Sequence, residues 1–135
     1  MHRAPPLLQI VLACAVLAAP APALAAAPKK EEKATVTYFA LQPLTAVAVR
    51  RDGRRGVLTL EAGLEAKDPK LMERAQQSQP RLRAAFAQVL MTYAAGMRRG
   101  EPPDVDYIGR EMQKAADKVL DKPGSRVLLG SALLN

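Results

Sequence analysis

The stretch GVLTLEAGLEAKDPKLMERAQQSQPRLRAAF, residues 56–86, changes its hydrophobic period near the middle. Before Ala66, apolar residues occupy every second position, which is typical of a strand with one buried face. After Asp68 they recur every third or fourth position, which is typical of a helix. The pair Asp68-Pro69 marks the change, because Asp caps the free amides of a helix start and Pro fits the first helical position. The stretch predicts a strand that leads directly into helices.

The preceding segment, residues 35–51 (TVTYFALQPLTAVAVRR), is predicted to form the other arm of a β-hairpin. Pro43 cannot donate to a strand ladder, so it predicts an edge strand or a strand interrupted by a bulge. Asp52-Gly53 is a strong turn pair. In the following strand we expect one wetter face, with Thr59, Glu61 and Glu65, and one buried face, with Leu58, Leu60, Ala62 and Leu64.

The helical region is divided by Pro80, which would cost about 3 kcal/mol inside a regular helix. We therefore expect a kink or a new helix near Gln79. A broad apolar stripe then follows, made of Leu82, Phe86, Val89, Leu90 and Tyr93. The stripe predicts a core helix, with a subunit interface as the alternative, and the helix is expected to end at Gly96.

A further helix is predicted from about Asp104 to Asp121, with acidic residues in its first turn and lysines near its end, as the helix dipole favours. Its expected buried stripe is Val105, Ile108, Met112, Ala116, Val119 and Leu120. Tyr93 and Tyr107 are expected to place their hydroxyl groups at the edge of the domain.

The last segment, RVLLGSALLN (residues 126–135), is an almost continuous apolar run. Such a run predicts a strand that is buried on both faces or paired centrally, and we expect it beside the hairpin. The predicted fold class is therefore α+β. It has a small antiparallel sheet, made of the hairpin and the C-terminal strand, with two or three helices packed on one face in the order ββααβ.

The first 25 residues are predicted to be a secretory signal peptide, because a short basic start precedes an apolar run from Leu7 to Ala19. Ala23 and Ala25 fit the small-x-small cleavage pattern. Residues 26–34 (AAPKKEEKA) are then a charged tether, residues 35–135 form the domain, and the predicted location is the periplasm. The alternatives are an uncleaved membrane anchor and lipid modification at Cys14.

Cleavage would remove His2 and Cys14, which are the only histidine and the only cysteine of the chain. Without them the domain cannot build a Ser-His-Asp or cysteine nucleophile and lacks the usual zinc ligands. Glu61 and Glu65 would lie roughly 13 Å apart along a strand, too far to share one glycosidic bond. We expect no enzymatic activity, no cofactor and no metal ion.

Basic residues are the candidate interaction residues. Loss of Arg3 leaves 19 Lys and Arg against 13 Asp and Glu, a net charge of +6. One interpretation is a solvated turn whose charges keep a sheet edge from aggregating. The other is contact with an anionic ligand, lipid head group or acidic protein, whereas nucleic acid is not expected because no aromatic residues are interleaved with the arginines. The residues concerned are Arg50, Arg51, Arg54 and Arg55 around the turn, and Arg98 and Arg99 in a loop.

The order of elements resembles the periplasmic domain of the flagellar basal-body-associated protein FliL family. The likeness covers about 98 residues, roughly Tyr38 to Asn135. The segments that carry it are YFALQPLTAVAV (38–49), GVLTLEAGL (56–64), Asp68, PRLRAAF (80–86) and RVLLGSALLN (126–135).

The resemblance implies a non-enzymatic, stomatin-like domain that assembles in rings around the flagellar stator and affects motor output. The implied partners are stator or basal-body proteins and further copies of the chain. Family members are normally anchored by a transmembrane helix, whereas the N-terminal segment here is predicted to be removable. Membrane contact is then expected only if that segment is retained or through anionic head groups. The resemblance transfers no catalytic or ligand-binding residue.

Overall fold

The computed structural model describes residues 35–135, which lie within one compact unit, Glu32–Asn135. The predicted signal peptide, its cleavage residues Ala23 and Ala25, and the tether lie outside the described residues. The elements in chain order are β1 (Tyr38–Ala40), β2 (Leu44–Val49), β3 (Arg55–Ala66), α1 (Pro69–Gln77), α2 (Gln79–Gly96), α3 (Val105–Leu120) and β4 (Ser125–Leu134). The predicted α+β class is confirmed. Compared with the predicted order ββααβ, the structure has one more strand, since Pro43 lies between β1 and β2, and one more helix, since α2 begins next to Pro80.

The long strand β3 is the centre of a four-stranded antiparallel sheet. β2 pairs with its first half, with Val47 opposite Val57, and β1 pairs with its second half, with Phe39 opposite Leu64. β4 pairs with β3 over most of its length, so it occupies the other edge. The predicted interruption at Pro43 is confirmed: β1 and β2 follow one another along the same edge of β3, separated by residues 41–43.

The inner face of the sheet carries the hydrophobic core. Strand alternation buries the predicted side chains Leu58, Leu60, Ala62 and Leu64, and it leaves Glu61 exposed on the opposite face. All three helices contact the inner face or one another. The core is completed by Phe86 and Leu90 of α2 and by Ile108 and Met112 of α3, each of them 0% exposed.

The helix boundaries follow local capping rules. Asp68 accepts a hydrogen bond from the Lys70 amide at 3.0 Å, and Pro69 is the first residue of α1, as predicted. Only Ser78 separates α1 from α2, because Pro80 in the first turn of α2 has no amide to donate. Asp104 caps α3 by accepting from the Tyr107 amide at 2.9 Å.

Four side chains of the helical stripes are less buried than expected, and one of them is Val119 of α3, which is half-buried. Val105 begins α3 and is 36% exposed, although it was predicted to be buried. In α2, Leu82, Phe86 and Leu90 are fully buried as expected, while Val89 and Tyr93 are half-buried.

The prediction for the C-terminal strand was correct in position but wrong in burial. Within the described residues β4 pairs only with β3, so it is an edge strand, and Ser125 is its only buried residue. The helices cover one face of the sheet, and a β-bulge opposite Glu61 shifts the register of β4. Leu128 and Leu133 therefore lie on the outer face, opposite Gly63 and Thr59.

Gln113 of α3 covers the first part of the free edge of β4. Its amide nitrogen donates to the Ser125 carbonyl at 2.9 Å, and its amide oxygen accepts from the Val127 amide at 2.9 Å. The side chain thus occupies the place that a residue of a neighbouring strand would take. This satisfies two backbone groups that an edge strand would otherwise present to solvent.

Candidate functional site: the arginine end and the outer face

The hairpin turn between β2 and β3 is a tight loop of residues 50–54. The Arg50 amide donates to the Arg54 carbonyl at 2.8 Å, and the Gly53 amide donates to the Arg50 carbonyl at 2.9 Å. Gly53 has a φ of 81°, a conformation that glycine adopts without strain. The predicted Asp52-Gly53 turn is therefore confirmed, and it projects the arginines around it into solvent.

A second loop, which follows α2, packs against this turn. The Arg99 guanidinium lies over Gly53, with its Nη1 atom 3.4 Å from the position that a Cβ atom would occupy there. In return, the Cγ atom of Arg51 lies 3.1 Å from the corresponding position on Gly100, which has a φ of 74°. The fold thus brings together two groups of arginines that are far apart in the sequence.

We call this group the arginine end. All six of its arginines are exposed, and they are Arg50, Arg51, Arg54, Arg55, Arg98 and Arg99. Asp52 lies 4.0 Å from Arg50 and 3.9 Å from Arg54, in contacts too open to solvent to contribute much stability. Within residues 35–135, no carboxylate lies within 4.0 Å of the other four guanidinium groups.

The opposite end of the sheet carries several lysines. β3 runs from the arginine end to Ala66, where Lys67 and Lys70 follow, and the last turn of α3 adds Lys118. Lys122 lies 3.3 Å from Asp68. The hydrogen bond from the Lys70 amide, and then that from Lys122, lower the pKa of Asp68 below its ordinary value of 3.8. This end also carries Arg126, which is opposite Glu65, and Arg74, which donates to the Leu120 carbonyl at 3.1 Å. The lysine end is therefore mixed, whereas the six cations of the arginine end are all arginines.

The outer face of the sheet, opposite the helices, is open to solvent in the described part of the chain. It exposes Val47 by 63%, Leu133 by 54% and Val57 by 45%. Val47 and Val57 are directly opposite each other, and Leu133 is opposite Thr59 in the next row. Because β2 alternates small buried alanines with larger exposed valines, the most apolar part of this face lies towards the arginine end.

The sequence pattern did not reveal this apolar surface. The alternation in residues 56–66 predicted a wetter outer face, which holds for Glu61 and Glu65. The sequence of β2, LTAVAV, could have indicated the apolar surface, because it places apolar residues on both faces of the strand. For such a strand, the buried face cannot be identified until the register with β3 is known.

Tyr38 covers a different part of the outer face. Its ring lies across Gly63 of β3, and a Cβ atom on Gly63 would collide with it. The ring is 47% exposed, so one side rests on the sheet and the other meets solvent. An aromatic side chain that covers a strand glycine in this way shields backbone that would otherwise be exposed to solvent.

A groove of about 510 Å³ lies between the end of α2 and the start of α3. On its floor the Tyr93 hydroxyl accepts a hydrogen bond from the Asp104 amide at 2.6 Å, and the rings of Tyr93 and Tyr107 are 5.9 Å apart. The Tyr93 hydroxyl is thus occupied in holding the loop, whereas Tyr107 is 44% exposed at the edge of the domain. Only part of the expectation for these two hydroxyl groups is therefore met.

Two acidic residues, Glu61 and Asp104, have structural partners. Glu61 accepts a hydrogen bond from the Ser131 hydroxyl at 3.0 Å across the β-bulge, and Asp104 caps α3. No cluster of three or more His, Cys, Asp or Glu side chains in residues 35–135 is placed to hold a metal ion. None of the helices in that range combines the length and apolar character needed to cross a membrane.

Comparisons of the chain with protein-family models, with curated proteins and with solved structures found no match. The resemblance to the FliL family therefore stays a prediction. The functional argument depends on the arginine end and the outer face.

Proposed function

We propose that this chain is a non-enzymatic accessory or scaffold domain that binds a partner protein through the outer face of its sheet. The observation that carries the proposal is the exposed pair Val47 and Val57, flanked by Leu133. Apolar side chains gathered on one face of a sheet are a common feature of protein interaction sites. The same face adjoins the arginine end, which supplies the polar rim that such interfaces usually have.

The resemblance to FliL extends this proposal to the bacterial flagellum. The partner would then be a stator or basal-body protein, or further copies of the chain in a ring, and the domain would act in the periplasm after export. The α+β architecture and the position of the C-terminal strand beside the hairpin are compatible with that resemblance. Removal of the predicted signal peptide would leave the domain to reach the motor by protein contacts.

The proposal is tested with Val47→Glu, which places a charge at the centre of the outer face. Val47 is 63% exposed, so we expect the variant to fold, with a circular dichroism spectrum like that of the wild type. In the flagellated source cell we expect it to lose co-purification with stator or basal-body proteins and to reduce swimming. Met91→Glu on α2, at a side chain 48% exposed, is the matched control and is expected to retain both.

Normal swimming after deletion of the gene, together with no flagellar protein among the partners, would contradict the flagellar role. Retention of every partner by Val47→Glu would contradict the outer face as the binding surface. The mass of the protein recovered from cells would test the signal peptide separately. Cleavage after Ala25 would give a chain that begins at Ala26.

A second candidate function is the binding of an anionic ligand, lipid or envelope component through the arginine end. The observation that favours it is the convergence of two arginine-bearing loops on each other's glycines. Its test is a salt-dependent interaction with anionic vesicles that Arg→Ala substitutions at the turn abolish. Equal binding by wild type and variant would eliminate this candidate.

A further inference from the structure

We infer that the arginine end is a carboxylate-binding site for an acidic segment of the protein that covers the outer face. This inference rests on the proposed protein-binding function and names the chemistry of the partner. It is argued from three features of the structure: the type of cation, the way the two loops are held, and the continuity between the arginines and the outer face.

The first feature is that every cation at this end is an arginine. Solubility or a general positive field would be served equally by lysine, which the chain places at the other end of the sheet as Lys67, Lys70 and Lys118. Arginine differs because its planar guanidinium binds a carboxylate through two parallel hydrogen bonds. Six arginines without a lysine therefore indicate recognition of planar oxyanions rather than charge alone.

The second feature is that two of the arginines are held by packing rather than by acids. Arg51 crosses Gly100 and Arg99 crosses Gly53, and neither has a carboxylate partner within residues 35–135. Packing holds the stem of Arg51 over Gly100 and the guanidinium group of Arg99 over Gly53, although both residues remain exposed. Because less side-chain freedom remains to be lost, a ligand can be bound at a smaller entropic cost.

The third feature is continuity with the outer face. Arg55 is directly opposite Val49, and Val49 is two residues from Val47 on the same face of β2. A protein that covers Val47 and Val57 therefore comes within one pair of residues of Arg55, at the start of the arginine end. The oxyanions that a protein presents there are the carboxylates of Asp and Glu.

A membrane surface fits the arginine end less well than an acidic protein. The two loops read RRDGRR at residues 50–55 and RRGE at residues 98–101, so neither offers a large apolar side chain for insertion between lipids. Attraction to anionic head groups is roughly equal for Lys and Arg, so it does not account for the exclusive use of arginine.

The test measures binding of the purified protein to a fluorescently labelled oligoglutamate peptide, with an oligoglutamine peptide as the uncharged control. We expect saturable binding to oligoglutamate only. The double variant Arg51→Ala/Arg99→Ala should bind it about tenfold or more weakly, as expected for the loss of charge-assisted hydrogen bonds. The charge-matched control Lys67→Gln/Lys118→Gln should bind like the wild type at the same salt concentration.

Charge-conserving variants separate carboxylate recognition from a general positive field. Arg51→Lys/Arg99→Lys should weaken oligoglutamate binding several-fold although the net charge is unchanged. Arg54→Lys changes a side chain that is 83% exposed, so it keeps the test valid if the double variant disturbs the fold. Unchanged affinity in all the lysine variants would overturn the inference.

Vesicles of phosphatidylglycerol and phosphatidylcholine form the second arm of the test. Tighter binding to these vesicles than to oligoglutamate, at matched anionic charge, would identify lipid phosphate as the ligand and overturn the choice of carboxylate. Absence of oligoglutamate binding would also overturn the inference. With either of these two results, loss of the partner by Val47→Glu would still support the outer face as the protein-binding surface. The carboxylate inference can therefore fail while the proposed function stands.

Discussion

The guanidinium group of Arg99 lies over Gly53, and the side chain of Arg51 lies in return over Gly100. Each arginine thus packs on a glycine whose backbone has a positive φ, 81° at Gly53 and 74° at Gly100. Gly100→Ala should lower the free energy of unfolding by about 1–2 kcal/mol, because an L residue is strained in the left-handed conformation. Equilibrium unfolding in urea measures the change.

The matched control is Gly96→Ala at the end of α2, where a Cβ atom would meet nothing within 4 Å. Because alanine is favoured over glycine in a helix by up to about 1 kcal/mol, this variant should be neutral or slightly more stable. Equal destabilisation by both substitutions would show that the left-handed conformation of Gly100 is not the cause.

Gln113 predicts a local effect on the edge of the sheet. Gln113→Ala removes the hydrogen bonds to the Ser125 carbonyl and the Val127 amide, and we expect a loss of about 1–2 kcal/mol. Hydrogen exchange of the Val127 amide should accelerate more than that of amides in β3. Gln88→Ala is the control, since the exposed Gln88 side chain makes only a long contact of 3.4 Å with Thr92. Unchanged protection of Val127 would contradict the assignment of this role.

Tyr38 and Gly63 are predicted to be energetically coupled. Gly63→Ala introduces a methyl group under the tyrosine ring and should cost about 1–3 kcal/mol, the usual range for overpacking. In a Tyr38→Ala background the same substitution should cost much less, because the collision is absent. A double-mutant cycle with thermal or urea unfolding measures the coupling, and additivity of the two substitutions would disprove the contact.

Asp68 predicts a dependence of stability on pH. Its pKa is lowered in the folded state, first by the hydrogen bond from the Lys70 amide and then by that from Lys122. A carboxyl with a lowered pKa stabilises the fold above its ordinary value of 3.8, and this contribution is lost as the pH falls from there through the folded-state pKa. Asp68→Ala should therefore be less stable than the wild type at neutral pH, and the difference should shrink in this acidic range. A difference that stays constant with pH would contradict the role of the charge.

Local features of the fold were predictable from the sequence because they depend on neighbouring residues. Asp68-Pro69 sets the start of α1 through an amide two residues away, and Pro80 sets the division of the helices through its own missing amide. The alternation of β3 was long enough to identify its buried face. These predictions needed no knowledge of tertiary contacts.

Features that depend on distant residues were not predictable in the same way. The burial of β4 depends on which face the helices cover, so an apolar run was interpreted as a central strand when it is an edge. Of the candidate site, all six arginines were identified from the sequence, but their convergence depends on how α2 returns its final loop to the hairpin turn. The outer face was missed because the register of β2 decides which of its apolar residues is exposed.

The central position of β3 also determines when its two edges can be paired during synthesis of the chain. Its hairpin partner β2 lies immediately before it in the chain, but its partner on the other edge, β4, is made only after all three helices. In a nascent polypeptide that ends after α3, the edge of β3 that pairs with β4 has amides and carbonyls without hydrogen-bond partners from a strand. An incomplete chain of this length is therefore exposed to pairing with strands of other chains until its final strand is released.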